Sequence, residues 1–187
     1  MNTELRAFIS LDIENEDIIK AIRSIQESLL EARADLKLVE EENLHFTLLF
    51  LGEISGEEAK SICNQIRKSS FSGFRVFLKG LGVFPDFRFP RVVWIGAESD
   101  EDLLKSYARA AMSIVTKAGV LRASEDFTPH LTIARVKSGR NKRELVELVS
   151  KMSSINVGET RTSPMRLKES CLTSRGPIYR TICEAIS

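Results

Sequence analysis

Histidine is almost missing from this chain: 187 residues hold two, His45 and His130, beside one tryptophan and two tyrosines. Net charge is nearly missing as well. A formal +1 gives the molecule no overall field with which to attract a polyanion, so any site for one must be a local patch. The opening stretch, MNTELRAFISLDIENED, lacks the basic start and continuous apolar run of a signal peptide. No segment approaches the ~20 apolar residues that a membrane-spanning helix needs, so the expected location is cytoplasmic with no membrane contact. Cysteine is sparse, and Cys63, Cys171 and Cys183 include no C-x-x-C pair. That odd set argues against a disulfide framework and against a thiolate zinc site, and predicts free thiols that pack as small apolar groups. Neither a G-x-x-x-x-G-K phosphate loop nor a G-x-S-x-G nucleophile turn occurs.

An apolar content of 43% with 28% charged residues places the chain among globular proteins rather than disordered ones. It is long enough for one large domain or two small lobes, burying roughly 70% of its unfolded surface. LRAFISLD reads as a strand, and EDIIKAIRSIQESLLEARADL as a helix with Ile18, Ile22, Ile25 and Leu29 at helical spacing. HFTLLFLGE is a strand ended by Gly52. SGEEAKSICNQIRKS is a helix, with Ser55 as N-cap and Glu58 at the capping-box position. After the strand FRVFLKGLGVFP the order repeats: strand PRVVWIGAE, helix DEDLLKSYARAAMSIVTKAG, strand HLTIARVK, helix NKRELVELVSKM. Arg6 precedes His45 by 39 residues, and Arg91 precedes His130 by 39 (6 to 45, 91 to 130). Such a repeat is the signature of a duplicated unit. The halves run approximately from 1 to 85 and from 90 to 170, with a C-terminal hairpin over 165–187. Two units related by a pseudo-twofold would bring equivalent strands face to face across a cleft.

Each histidine is followed two residues later by a threonine. On a strand, residues i and i+2 share a face, so His45 projects with Thr47 and His130 with Thr132. The same alternation sends Phe46, Leu48 and Phe50 into a core, and turns Arg135 away from His130. An imidazole can take or give a proton near neutral pH, and a neighbouring hydroxyl can donate to an anionic oxygen. Two copies supply one general base, one general acid and two oxyanion donors, a set that fits in-line phosphoryl transfer. Two histidines without a carboxylate or thiolate pattern leave a zinc site short of ligands, so neither metal nor cofactor is expected.

ENLHFTLLFLGE, PRVVWIGAE, FTPHLTIARVK and LKESCLTSRGPIYR, in this order over essentially the whole chain, closely resemble the two-histidine phosphoesterase superfamily. Within it they resemble the RNA 2′,3′-cyclic phosphodiesterases, historically called 2′-5′ RNA ligases. The resemblance implies a bilobal α+β fold with antiparallel sheets lining a central cleft and helices on the outer faces. It implies metal-free hydrolysis of a 2′,3′-cyclic phosphate to a 2′-phosphomonoester; a monomer without an obligatory protein partner is expected, acting on RNA with a 2′,3′-cyclic phosphate end. Carried over by position, His45 is the acid on the departing 3′ oxygen and His130 the base for water. Thr47 and Thr132 hold the non-bridging oxygens, and Arg135 adds charge to the phosphate site. Phe8, Trp94 and Tyr179 are candidates for a base-stacking wall. Three other readings stay open: 2′-5′ ligation, hydrolysis of a small cyclic nucleotide in the same site, and a non-catalytic RNA-binding module.

Overall fold

The computed structural model describes residues 4–121, 127–173 and 176–186. Nine strands and four helices of eight residues or more are named here: β1 (Glu4–Asp12), α1 (Glu16–Leu30), β2 (Leu36–Leu38), β3 (His45–Ser55), α2 (Gly56–Arg67), β4 (Arg75–Phe84), β5 (Val92–Ser99), α3 (Leu103–Lys117), β6 (His130–Val136), α4 (Lys142–Lys151), β7 (Asn156–Arg161), β8 (Arg166–Thr173) and β9 (Gly176–Glu184). The strands form two antiparallel sheets, ordered β3-β1-β8-β9 and β2-β6-β5-β4-β7. This is the α+β class that the sequence implies.

The sheets do not follow the halves of the sequence. β4, from the first half, pairs with β5 in the second sheet, while β8 pairs with β1 in the first. The helices cross over as well: α1 packs against β7 and β6 of the second sheet, and α3 packs against β3 of the first. Each lobe is therefore completed by elements of the other half, which makes the two halves one folding unit. Among the described residues no helix is long and apolar enough to cross a membrane.

Local chemistry accounts for the helices. In α1 the buried face is Ile18, Ile22, Ile25 and Leu29, the predicted spacing, and Asn15 caps the first turn by accepting from the Asp17 and Ile18 N–H groups. Each of those side chains contributes about 1.5–3 kcal/mol through burial. In α2 the predicted capping box is closed: the Glu58 N–H donates to Ser55 Oγ at 3.2 Å and the Ser55 N–H to Glu58 Oε2 at 2.7 Å.

The cysteines correct the sequence-based expectation. Cys63 of α2 and Cys183 of β9 are joined in a disulfide, and only Cys171 is a free thiol. The partners are 120 residues apart in the sequence, so no local spacing could announce the pair. α2 packs directly on β9, and that contact brings them together. Closing a loop of this length restricts the unfolded chain, worth about 2–5 kcal/mol. Cys63→Ala should therefore lower the urea-unfolding free energy by that amount. A reducing agent should shift the wild-type midpoint and leave the variant's unchanged.

Candidate active site

β3 forms one edge of the first sheet and β6 lies inside the second, and the two approach each other across a cleft. The cleft is a cavity of about 340 Å³ whose lining includes His45, Thr47, His130 and Thr132. Arg135, Phe8 and Tyr179 line it too, whereas Trp94 does not. Among the described residues none from the four helices reaches it. Among the described residues, too, no group of three or more histidine, cysteine or acidic side chains could hold a metal ion.

The two imidazoles are held alike. His45 Nδ1 lies 2.7 Å from the Asn43 carbonyl, and His130 Nδ1 lies 2.7 Å from the Thr128 carbonyl. A carbonyl can only accept, so both Nδ1 atoms carry a proton and each neutral ring keeps its lone pair on Nε2. Thr47 Oγ1 stands 3.1 Å from His45 Nε2 and donates to that lone pair. Aromatic rings bracket both histidines: Phe8 and Tyr179 at 5.0 and 5.2 Å from His45, Phe84 and Trp94 at 4.9 and 6.5 Å from His130. Trp94 lies so close over Gly82 that a Cβ there would stand 2.2 Å from the indole. It stands beside the His130 ring without lining the cavity.

Simple alternation misplaces two side chains, for one shared reason. In β3 both Leu48 and Leu49 are buried, and the register against β1 slips between Ile9 and Ser10. In β6 both Ile133 and Ala134 are buried, and the register against β5 slips between Val93 and Trp94. Each bulge reverses which residues face the cleft. Phe50, expected in the core, is instead 47% exposed and lines the cavity, and Arg135 also lines it. The two are pseudo-equivalent, each five residues after its histidine. A second slip, at Gly52 with φ +67°, follows Phe50. Arg6 lies 5.1 Å above the Phe50 ring. Phe50 and Arg6 are site residues that the sequence pattern does not reveal, and only the doubled apolar pairs LL and IA at matching positions hint at the bulges. The duplicated site is consequently asymmetric, with a phenylalanine five residues after His45 and an arginine five residues after His130.

Behind His45 lies a buried ionic group. Asp12 is the ladder partner of His45, and its Oδ2 accepts from Lys168 Nζ at 2.7 Å and Arg166 Nη1 at 2.8 Å. Its Oδ1 accepts from Ser10 Oγ at 3.1 Å. Burial alone would raise the Asp12 carboxyl, but the hydrogen bonds and charges of Lys168 and Arg166 outweigh it and hold the group below its ordinary range. Burial pushes His45 down to about 4, aided by the Lys168 and Arg135 charges and opposed by the Asn43 carbonyl and Asp12. His45 is thus neutral at pH 7. The unfolded imidazole takes its proton near pH 6.5 and the folded one only near 4, so this residue erodes stability as pH falls through that window and has no effect above it. His45→Gln should flatten the loss of urea stability between pH 7 and 4.5. The His45 ring resonances should titrate near pH 4, and their midpoint should rise when inorganic phosphate fills the cleft.

Comparison with known proteins agrees with this geometry. The sequence pattern of the family described as LigT-like phosphoesterase matches twice, over residues 11–94 and 95–179. A Methanothermobacter thermautotrophicus protein named RNA 2′,3′-cyclic phosphodiesterase is 39% identical, the match covering 94% of this chain and 95% of that protein. One of the same name from Aeropyrum pernix is 37% identical, over 89% and 95%. The crystal structure of a Thermus thermophilus protein superposes with a TM-score of 0.75 at 26% identity, covering 95% of each chain.

Proposed function

The chain belongs to the LigT-like phosphoesterase family, and we propose that it is an RNA 2′,3′-cyclic phosphodiesterase which opens the cyclic phosphate to a 2′-phosphomonoester by histidine acid–base catalysis without a metal. The observation that carries the mechanism is the matched pair of imidazoles, each fixed through Nδ1 and turning Nε2 toward one cavity. With phosphorus between them, His130 Nε2 takes a proton from water as its oxygen attacks, and the bond from phosphorus to O3′ breaks. His45, protonated on Nε2, gives that proton to O3′. The product carries the phosphate on O2′, and the two histidines have exchanged charge states.

His45 must acquire its proton on binding, since burial keeps it neutral beforehand. An anionic phosphate in the cleft favours the imidazolium by direct attraction. Once Nε2 carries hydrogen, Thr47 can no longer donate to it, and its hydroxyl is released to donate to a non-bridging phosphate oxygen. Thr132 and Arg135 serve the other non-bridging oxygen, with the guanidinium fork supplying charge and direction. Tyr179 and Phe50 offer ring faces to the base, while Phe8, 3% exposed, backs the His45 and Tyr179 rings.

The test is incubation with an RNA ending in a 2′,3′-cyclic phosphate, in excess chelator, with the product end identified. The expected product is a 2′-phosphate formed at the same rate with and without chelator. Loss of activity in chelator, restored by a divalent ion, would overturn the metal-free mechanism. Joining to a 5′-hydroxyl RNA in place of hydrolysis would assign the site to ligation.

A further inference from the structure

The geometry points to a second RNA-contacting surface, the β4–β5 loop with the start of α4, which grips single-stranded nucleotides preceding the one in the cleft. This inference rests on the RNA phosphodiesterase reading and adds the length and form of the substrate.

The loop reads PDFRFPR over residues 85–91, with two aromatic and two basic side chains in seven positions. Phe87 and Phe89 are 47% and 67% exposed, among the few large apolar side chains that the described residues leave in water. The loop is built to present them. Asp86 Oδ1 accepts from the Arg88 N–H at 2.7 Å and the Phe89 N–H at 3.0 Å, closing a turn below the two rings. The Lys142 ammonium donates to the Arg88 carbonyl at 2.7 Å and lies 5.2 Å from the Phe89 ring centre, bracing the loop from α4.

Basic side chains dominate the surrounding charge, although α4 also carries Glu144 and Glu147, the latter paired with Arg143. Arg88, Arg91, Lys137 and Arg140 are exposed, and none has an ion-pair partner among the described residues. A molecule with a net charge of +1 has gathered unpaired cations at one edge. Asp86, the acid on the loop, is engaged with backbone N–H groups.

This edge continues the cleft. The Val136 N–H donates to the Arg91 carbonyl at 2.9 Å, fastening the loop to the end of β6 immediately after Arg135. Val92, the next residue, is the ladder partner of Arg135, and Lys37 is its partner on the other side. Arg135 and Lys37 both line the cavity. Phe84, at the foot of the loop, touches the His130 ring. Phe89 is three residues from Val92 (89 to 92), at most about 10 Å of chain. A strand leaving the cavity past Arg135 meets this surface within one or two nucleotides.

Alternating exposed rings and unpaired cations suit a single strand, whose bases stack on aromatic faces while its phosphates meet Arg and Lys. A duplex hides its base faces and offers the rings nothing to stack on.

The experiment compares wild type with Phe87→Ala/Phe89→Ala and with Arg88→Ala/Arg140→Ala, on a cyclic-phosphate mononucleotide and on a single-stranded ten-nucleotide RNA with the same end. All four side chains are exposed, and circular dichroism melts check that folding is intact. Each variant should lose about 10- to 100-fold in kcat/KM on the ten-mer, chiefly through KM, and stay within about twofold of wild type on the mononucleotide. The arginine variant should also show a shallower dependence of KM on salt. Equal behaviour on both substrates would overturn the inference. So would unchanged RNA affinity accompanied by loss of sedimentation with anionic phospholipid vesicles, which would assign the surface to membranes. Anisotropy with a ten-mer ending in a plain hydroxyl reads binding without turnover. If wild type proves inactive on both cyclic phosphates, that measurement still judges this surface while the phosphodiesterase reading fails alone.

Discussion

His45→Ala should slow hydrolysis of an RNA 2′,3′-cyclic phosphate by about 10²- to 10⁴-fold, and the loss should shrink sharply on a nucleotide ester whose leaving group at the O3′ position has a low pKa. A good leaving group departs as an anion and needs no acid, so removing the acid costs little. His130→Ala should stay impaired on both substrates, because water still requires a base. The comparison is needed because the pseudo-twofold offers an imidazole to each side of phosphorus, both turned the same way by carbonyl acceptors. Equal rescue of the two variants would mean shared roles, and rescue of His130→Ala alone would mean reversed ones. The reversed outcome has a physical basis: burial holds His45 in the neutral form that a base requires. The proposed assignment therefore needs the substrate's charge to raise His45, which the phosphate titration measures separately.

The repeated H-x-T strands, the helix faces and the α2 capping box were legible in the sequence because each depends on neighbours within a few residues. The cleft face of β3 and β6 was legible only as far as Thr47 and Thr132. Beyond them, alternation fails at Leu48–Leu49 and Ile133–Ala134, since a bulge is a property of a strand pair and appears only when the partner's register is known. Phe50 and Arg135 both lie past that point, so the sequence put one in the core and the other on the wrong face. The Cys63–Cys183 bond and the exchange of β4 and β8 between sheets were illegible for a related reason: both join segments far apart in the chain. Phe8, Trp94 and Tyr179 looked equivalent as aromatics on strands. Only packing separates Trp94, laid on Gly82, from the two that line the cavity.

Asp12→Ala should destabilise the protein by about 3–5 kcal/mol in urea unfolding at pH 7, the range for breaking a buried ion pair from one side. Lys168 is 4% exposed, and Asp12 is the acceptor its ammonium reaches. Without that carboxylate the cation is left desolvated and uncompensated. Arg166 fares better, because it also donates to Glu14 and Glu184, so most of the loss comes from Lys168. The pairing predicts its own rescue: Asp12→Leu/Lys168→Met, which removes both charges and fills the space, should recover most of the stability, as apolar replacements of buried pairs often do. The same double variant should move His45 little, since Asp12 raises its proton affinity and Lys168 lowers it. Asp12→Ala alone should lower the His45 midpoint further, and Lys168→Met alone should raise it. If Asp12→Ala unfolds in urea like wild type, the pair is more hydrated than its burial indicates. If the double variant is as unstable as the single one, the carboxylate matters through the Ser10 hydroxyl, which donates to its Oδ1 at 3.1 Å.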